Sequence, residues 1–476
     1  MRMLTIIAVV LSISMPGIAA HDIADFGAKP DGQTLCTDAI QTAIDKCAAG
    51  GGGTITVPAG RWLTGTVYLR DNITLSIEPG ATLLGSRNRD DYARPFKSGP
   101  DAEPVSKWAV IAGHGVKNVA IRGRGAIDGQ GDAFRDKTKV RPKCIILEQC
   151  SDVLIEGVRL RSAGSWMQHY IDCDRLVIRD IAVFNHVSFN NDGLNIDSCR
   201  DVTITGCNVD SDDDGIVLKS LSTRPCENIT ISDCIVSSHC NALKMGTESG
   251  GGFKNITISN CTVCSPRYSQ VTYGRQRGLA GLALEIVDGG TMDRVAVSNI
   301  AIRGVTVPIF IRLGNRARVY QKDQPKPGIG TLRNVTIDNI VATDCSEIGC
   351  SITGMPDKPV ENISLSNIIL GFEGGGTKEA ASVSVPEKPD AYPESTMFGQ
   401  LPAYGLYCRH VKGLKFRNIT LRTDKPDLRH AIVCEDVENV LMDALDAPTA
   451  DAAASVLRLT DTRNASVTQD NLTRQQ

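Results

Sequence analysis

Three aspartates stand just before two short apolar runs, a placement that suits acid–base chemistry. Asp192 precedes Gly193, and Asp213 and Asp214 precede Gly215. Each run that follows these glycines alternates in the manner of a β-strand. If the two strands stack in parallel, their carboxylates lie about 4.8 Å apart. Crowded carboxylates raise one another's pKa, and a pair of them can hydrolyse a glycosidic bond.

The same strand unit recurs from one end of the chain to the other. Each copy is an Asn, Asp or Arg followed by alternating apolar residues and a polar turn, and the copies from Asp152 to Asn255 follow one another most closely. A short regular period without intervening helices predicts a solenoid. Copies begin at Asn72, Asn118, Asp152, Arg175, Asp201, Asn228, Asn255, Arg294, Asn334, Asn362, Gly413, Asn439 and Asn464.

The repeat predicts an all-β fold built as a single parallel β-helix. The one convincing amphipathic helix, Thr37–Ala48, is expected to cap the open N-terminal end. A third copy of the site pattern begins at Asn241, so Asp192, Asp214 and Asn241 are expected to form a column. An up-and-down β-sandwich fits less well because its repeats would not keep the turn signature in register.

Length, charge and the N-terminal segment set the class of protein. The chain has 476 residues and a net charge of −3 with mixed signs, which argues against a nucleic-acid partner. Residues 1–20 resemble a signal peptide, and residues 21–476 are predicted to form one domain. We therefore expect an exported protein, periplasmic or secreted, with no membrane span. We also expect it to be a monomer.

The sixteen cysteines allow two interpretations. An oxidising compartment permits disulfides, and Cys36 and Cys47, which flank the helix, are the better bridge candidates. Alternatively, many cysteines are free thiols in buried ladders. We favour that interpretation for Cys207, Cys234 and Cys261, because they recur at equal intervals and at equivalent places in the repeat.

The spacing of the acidic motifs resembles the pectin-degrading glycoside hydrolases of family 28, which include polygalacturonases and rhamnogalacturonan hydrolases. The resemblance covers most of residues 22–445 and implies a right-handed parallel β-helix and hydrolysis with inversion. It implies that Asp213 protonates the leaving oxygen and that Asp192 and Asp214 activate a water. It implies no cofactor and no metal. The matching segments are Asp25-Phe26-Gly27-Ala28, Val57-Pro58-Ala59-Gly60, Gly125–Gly131, Asn191-Asp192-Gly193 and Asp213-Asp214.

Two motifs of the polygalacturonases are replaced in this chain. The family's Gly-His-Gly corresponds to Cys240-Asn241-Ala242, and its Arg-Ile-Lys, which grips a galacturonate carboxylate, corresponds to Ala283-Leu284-Glu285. A glutamate in place of the lysine would repel an anionic sugar. We therefore predict a rhamnogalacturonan or galacturonide linkage as substrate in preference to plain homogalacturonan.

Several residues near the predicted column are candidates for substrate binding. Lys244 is the first candidate to replace the missing cations, with a solvated rim residue as the alternative. Arg275, in an insertion, could reach over the groove or be a solvated loop residue. The full set of candidates is Asn191, His239, Asn241, Lys244, Arg275, Glu285 and Arg312.

Two other functions compete with an inverting glycosidase. Parallel β-helices also host polysaccharide lyases, and Asp212–Asp214 could hold Ca²⁺ for such a reaction. A non-catalytic carbohydrate-binding solenoid is the third possibility, although such a protein has no use for carboxylates at this spacing. The fold alone does not decide between these functions.

Overall fold

The computed structural model describes residues 19–93, 108–136, 141–267, 276–320, 323–447 and 454–468. The one α-helix described is α1 (Thr37–Ala49), and short 3-10 helices span Ile23–Phe26, Arg89–Asp91, Gly131–Phe134 and Ala380–Ser382. The first strands are β1 (Ala19–Asp22), β2 (Asp31–Leu35), β3 (Gly53–Val57), β4 (Gly60–Thr64), β5 (Val67–Tyr68), β6 (Ile73–Ile77), β7 (Ala81–Gly85), β8 (Ala109–His114), β9 (Lys117–Gly123), β10 (Ala126–Asp128), β11 (Lys143–Glu148), β12 (Ser151–Glu156), β13 (Arg159–Arg161), β14 (Gln168–Ile171), β15 (Asp174–Arg179), β16 (Ala182–Asn185) and β17 (Leu194–Asp197). The remaining strands are β18 (Arg200–Thr205), β19 (Asn208–Ser211), β20 (Ile216–Ser220), β21 (Cys226–Ser232), β22 (Ile235–Ser238), β23 (Asn241–Ser249), β24 (Gly252–Cys264), β25 (Ala280–Ile286), β26 (Thr291–Arg303), β27 (Val307–Leu313), β28 (Thr331–Cys345), β29 (Cys350–Thr353), β30 (Val360–Gly374), β31 (Ala403–Lys425), β32 (His430–Asp446), β33 (Leu457–Thr460) and β34 (Arg463–Val467).

The strands stack in parallel on three faces of a solenoid. On the first face β14 pairs with β11 and β17, on the second β15 pairs with β12 and β18, and on the third β16 pairs with β13 and β19. Each coil therefore adds one strand to each face, and the fold is the predicted parallel β-helix. We call the first face, which continues through β20, β23, β25, β27 and β29, the groove face.

The Asn-rich repeat signature marks the turns between faces. Asn72, Asn118, Asn228 and Asn255 each have a φ between 54° and 61°, a left-handed conformation that asparagine tolerates better than most residues. Their side chains also bond along the stack. Asn118 Nδ2 donates to Asn72 Oδ1 at 2.9 Å, and Asn255 Nδ2 donates to Asn228 Oδ1 at 3.0 Å. Conformation and ladder together explain why the sequence repeats at these places.

The helix α1 covers the N-terminal end of the solenoid, as predicted. Its buried face, Ile40, Ala43, Ile44 and Cys47, belongs to the same apolar core as the first coils. Along most strands apolar residues alternate with exposed ones, so the core runs through the interior of the coils. The groove face differs, because residues of β17, β20 and β23 are buried on both sides.

Neither of the two bridge candidates, Cys36 and Cys47, forms a disulfide. All sixteen cysteines are free thiols, and these two lie at opposite ends of α1. The length of helix between them places them about 16 Å apart, far beyond the reach of a disulfide. The predicted interior ladder is confirmed, since Cys207, Cys234 and Cys261 are each at most 2% exposed.

Some expectations fall on residues outside the described ranges. The predicted signal peptide lies there except for Ala19 and Ala20, and so does Arg275. Within the described part of the chain, no helix has both the length and the apolarity to cross a bilayer.

Candidate active site

The predicted column of polar residues exists at the N-terminal ends of three stacked strands. The N–H of Gly193 donates to the carbonyl of Asp214 at 2.9 Å, and the N–H of Gly215 donates to the carbonyl of Asn241 at 2.8 Å. These bonds place Asp192, Asp214 and Asn241 on successive rungs. The glycines are required by packing, since a Cβ on Gly193 would lie 2.7 Å from the carbonyl oxygen of Gly215.

The turn that carries Asp213 is held from several sides. The N–H of Asp214 donates to Asp213 Oδ1 at 2.9 Å. The hydroxyls of Ser211 and Ser238 donate to the carbonyl of Asp213 at 2.9 and 2.7 Å. Asp213 is half-buried, whereas Asp192 and Asp214 are only 2% and 3% exposed. Of the three aspartates, Asp213 is therefore the one most open to a ligand in the groove.

Two buried lysines neutralise the column. Lys244 Nζ lies 3.1 Å from Asp214 Oδ2. Lys219 Nζ lies 3.6 Å from Asp192, 4.0 Å from Asp214 and 3.2 Å from Glu248. The carboxylates thus sit in a water-poor site where each lysine acts on more than one carboxylate.

The pKa values of Asp192 and Asp214 shift in opposite directions. Burial raises the pKa of Asp192 well above its usual value, and the neighbouring charges of Asp213 and Asp214 add to the rise. Burial also acts on Asp214, but Lys244 and Lys219 outweigh it and hold the pKa of Asp214 below its usual value. Opposite shifts in neighbouring carboxyls are the pattern that separates a proton-carrying group from an ionised one.

Asn241 replaces the family's histidine with an amide that bonds to the column. Its Nδ2 donates to Asp214 Oδ1 at 2.9 Å and to Glu394 Oε1 at 3.3 Å. Asn191 is fully buried, and its amide donates to Asn185 Oδ1 at 3.2 Å, so it supports the turn before Asp192. A direct contact of either residue with substrate stays a prediction.

Glu285 does not present a negative charge to the groove. It is fully buried, 4.0 Å from Lys244 Nζ, and Thr247 Oγ1 donates to it at 3.2 Å. Burial raises its pKa to about 8, so the carboxyl is largely neutral at pH 7. The repulsion expected from the sequence therefore does not follow, because burial favours the protonated form.

Residues 375–402 form a loop, here called the covering loop, that joins β30 to β31 and lies over the groove face. Phe398 and Leu401 pack in one apolar cluster with Ala280, Ala283 and Phe310 of the groove face. Ala283 is paired with Lys244 in the sheet register and is fully buried. Ala283 thus stands where the family carries the arginine of its Arg-Ile-Lys motif, and the covering loop packs over it.

Arg312 belongs to the support of this loop. It is 1% exposed, and its guanidinium donates to the carbonyls of Glu387 and Lys388 at 2.9 and 3.1 Å and to Thr353 Oγ1 at 3.2 Å. In this structure its donors face the loop, although Arg312 is among the predicted substrate-binding residues. Arg409 also holds the loop, donating to the carbonyl of Val385 at 2.6 Å.

The covering loop brings two side chains to the column that no sequence pattern indicates. Glu394 contacts Asn241 and lies 3.9 Å from Cys240 Sγ. Tyr392 is 56% exposed, with its ring 5.8 Å from Lys244 Nζ and 5.9 Å from the Arg316 guanidinium. Neither residue lies in a repeat, so only the folded chain shows their position.

Further cations missed by sequence reasoning surround Glu248. Arg316 and Arg318 each lie 3.7 Å from Glu248 Oε1, whereas Lys219 contacts its Oε2. Burial opposes the charge of Glu248, but Lys219 and Arg316 lower its pKa to about 2. The rim of the site is therefore richer in positive charge than the motif comparison predicts, and the two arginines in sequence after β27 were the available signal.

His239 lies beside the turn that carries Asp213 but outside the column. It is 5% exposed, and burial lowers its pKa. Its neighbour His186 is fully buried, with Nδ1 2.8 Å from Asp212 and Nε2 3.1 Å from Asp210. Asp212, which the lyase hypothesis needs as a calcium ligand, is thus engaged by a histidine.

The donor set does not suit calcium. Single ligand atoms of Asp213, Asp214 and Cys240 lie within 4.8 Å of one another and could hold a metal ion. Calcium takes six to eight oxygen ligands, whereas this cluster offers a thiol and has the Lys244 ammonium 3.1 Å from Asp214. The geometry fits proton transfer better than a calcium site.

Comparisons with known proteins agree with the fold and the motifs. The sequence family described as "Glycosyl hydrolases family 28" matches residues 47–389. The chain is 34% identical over 228 residues to a probable polygalacturonase of Vitis vinifera, covering 44% of this chain and 46% of the relative. It is 42% identical over 118 residues to an exo-poly-alpha-D-galacturonosidase of Dickeya chrysanthemi, covering 23% and 19%. The alignments thus span less than half of these curated relatives.

Solved structures support the architecture. An exopolygalacturonase from Thermotoga maritima superposes with a TM-score of 0.67 at 20% identity, covering 87% of this chain and 93% of that one. A family 28 exopolygalacturonase from Yersinia enterocolitica superposes with a TM-score of 0.59 at 18% identity, covering 94% and 78%. At these identities the likeness establishes the β-helix fold.

Proposed function

The chain belongs to glycosyl hydrolases family 28, and we propose that it hydrolyses a galacturonide linkage of pectin with inversion at the anomeric carbon. The observation that carries this proposal is Asp214, held ionised by Lys244 at 3.1 Å, next to Asp213, the aspartate most open to the groove. An inverting glycosidase needs one carboxylic acid and one ionised base with a water between them. The buried Lys244 and Lys219 keep the base ionised, because they hold the pKa of Asp214 below its usual value.

Each aspartate has a role in this scheme. Asp213, the half-buried one, gives its proton to the leaving oxygen. Asp214, ionised under the influence of Lys244 and Lys219, accepts the proton of the attacking water. Asp192, whose pKa is raised by burial, holds that water by a hydrogen bond while Asp214 takes the proton. General acid catalysis of this kind contributes about 10²- to 10⁴-fold in rate.

We propose that the preferred linkage joins galacturonate to a neutral sugar, as in rhamnogalacturonan, or ends a galacturonide-capped oligosaccharide. Lys219 and Arg318 offer positive charge for one uronate next to the column. Beyond Lys244 the groove face carries Ala283 under the covering loop, so among the described residues no cation takes the place of the family's grip on a second uronate. The names of the relatives, a probable polygalacturonase and an exo-poly-alpha-D-galacturonosidase, instead favour polygalacturonan.

We also propose that cleavage occurs at a chain end. Phe398 and Leu401 of the covering loop occupy the groove face just beyond the column, which limits the substrate on that side to the sugar next to the column. Relatives named as exo-acting enzymes support the same mode. Because pectin is an extracellular polymer, the proposed activity is also consistent with export of the protein.

Proton NMR of the first sugar released tests the mechanism. We expect the new reducing end to appear in the inverted configuration, and retention would contradict the scheme. Asp213→Asn is expected to lower kcat by at least about 10²-fold while thermal unfolding stays within about 2 °C, since the residue is half-buried and its amide can still bond the turn. A near-normal kcat in this variant would remove Asp213 from the acid role.

A panel of pectic oligosaccharides tests the substrate. The rate on rhamnogalacturonan or galacturonide-capped oligosaccharides is expected to exceed the rate on homogalacturonan of equal length. Equal or higher rates on homogalacturonan would show that the missing cations are unimportant. An ultraviolet-absorbing unsaturated product would instead identify a lyase.

A further inference from the structure

We propose that Glu394 is a specificity-determining residue that excludes a second uronate from the subsite between the column and the covering loop. This inference rests on the proposed function and deepens it. It names the group that selects a neutral sugar at the subsite next to the covering loop, and we call the sugar bound there the loop-side sugar. The absence of a cation only fails to attract a uronate, whereas a carboxylate at the same place rejects it.

The position of Glu394 supports this role. Its Oε1 lies 3.3 Å from Asn241 Nδ2, the amide that also donates to the catalytic Asp214 at 2.9 Å. One amide group therefore separates Glu394 from Asp214. Glu394 is only half-buried, so a sugar that reaches Asp213 and Asp214 from this side meets its carboxyl.

The covering loop holds Glu394 in place. The neighbouring Ser395 donates its hydroxyl to the carbonyl of Leu279 at 2.9 Å, and the N–H of Asn315 donates to the carbonyl of Pro389 at 2.6 Å. Together with Phe398 in the apolar cluster, these contacts fix the segment on both sides of Glu394. The carboxyl is thus part of a wall with a defined position.

The charge of Glu394 changes in the neutral range. Burial raises its pKa to about 7; Lys244 opposes the rise, and Asp214 and Asp213 add to it. The other titratable groups that interact with it in the described structure are the Cys240 thiol, Tyr392 and Glu285. Below pH 7 a uronate meets a neutral carboxyl, and above pH 7 it meets a negative charge or must first protonate one.

This titration gives a quantitative expectation. At pH 8 a group with a pKa of about 7 is about 90% ionised, so protonating it to admit a uronate costs about tenfold in kcat/KM. At pH 5.5 the same cost is negligible. The ratio of kcat/KM for a neutral over a uronate loop-side sugar should therefore rise about tenfold from pH 5.5 to pH 8. Ionisations of the catalytic groups cancel in this ratio because both substrates share them.

The experiment compares two oligosaccharides of equal length that differ only in the loop-side sugar, rhamnose or galacturonate. In Glu394→Gln, which keeps a bond acceptor for Asn241, the ratio is expected to stay constant with pH. Glu394→Asp, which keeps the charge, is expected to retain the rise. Asp390→Asn, an exposed carboxylate on the same loop, is the matched control and should behave as the wild type.

Glu285→Gln distinguishes the effect of the buried Glu285 from that of the half-buried Glu394. The pKa of Glu285, about 8, lies in the same range, so a rise that disappears in Glu285→Gln but persists in Glu394→Gln would overturn the assignment. A wild-type ratio that does not change with pH would also overturn it. Hydrolysis of neither oligosaccharide would refute the proposed function itself, which is a distinguishable result.

Discussion

Replacing Lys244 with methionine removes a buried charge next to Asp214 and keeps most of the side-chain volume. In the wild type, Lys244 Nζ lies 3.1 Å from Asp214 Oδ2 and the lysine side chain is 1% exposed. With an effective dielectric constant of about 20, two unit charges at 3.1 Å attract by about 5 kcal/mol. Burial opposes both charges, so we expect the free energy of unfolding to fall by about 3 kcal/mol, as is usual when a buried pair loses one partner.

The pH dependence of this loss follows from the pKa of Asp214. That pKa is lowered in the folded protein from its usual 3.8, so the pair stabilises the fold fully above pH 3.8. The stabilisation is lost as the pH falls through the lowered value. The difference in unfolding free energy between wild type and Lys244→Met should therefore be largest near neutral pH and shrink below pH 3.8.

Activity should respond at the acidic side of the pH–rate profile. Without Lys244, Asp214 is kept ionised by the weaker influence of Lys219, 4.0 Å away, and of the Asn241 amide, so the proposed base is protonated at a higher pH than before. We expect the acidic limb of kcat/KM to move to higher pH while the basic limb moves less. Reducing-sugar release on the best pectic oligosaccharide, measured from pH 3 to 9, gives the profile.

The control is Lys412→Met, which breaks an exposed pair with Glu438 at 3.9 Å. Surface pairs of this kind contribute about 0–1 kcal/mol, so its stability and profile should match the wild type. Superimposable acidic limbs for Lys244→Met and wild type would show that Lys244 does not set the ionisation of Asp214, and would return it to the role of a substrate contact.

The column of the site could be predicted from the sequence because, in a solenoid, residues one repeat apart in sequence lie next to one another on neighbouring coils. Once the strands stack, the regular spacing of the copies places Asp192, Asp214 and Asn241 on successive rungs, as the backbone bonds confirm. The turns occupied by the repeated asparagines could be predicted for the same reason, because they recur at the same place in each coil.

The covering loop could not be predicted because it has no period. Nothing in the composition of residues 375–402 fixes where Glu394 and Tyr392 lie. The partners that decide this, Ala283 and Phe310, belong to earlier coils far away in sequence, and both are apolar. The same gap explains the error over Glu285, since its charge depends on burial that the motif alone does not show.

Two further predictions concern groups that hold the site. His186→Gln removes the charged partner 2.8 Å from the buried Asp212, beside the turn that carries Asp213, so kcat should fall about tenfold with KM little changed. Burial opposes the charge of His186, but its aspartate partners raise its pKa from 6.5 to about 9, so wild-type stability should decline as the pH rises through 9. Thermal unfolding of the variant should lack this decline, and an identical decline would exclude His186 as its source. Arg312→Met removes the donors that hold the carbonyls of Glu387 and Lys388, so limited proteolysis should cut the covering loop faster than in the wild type. An unchanged rate of cleavage would show that the apolar packing of Phe398 fixes the loop without Arg312.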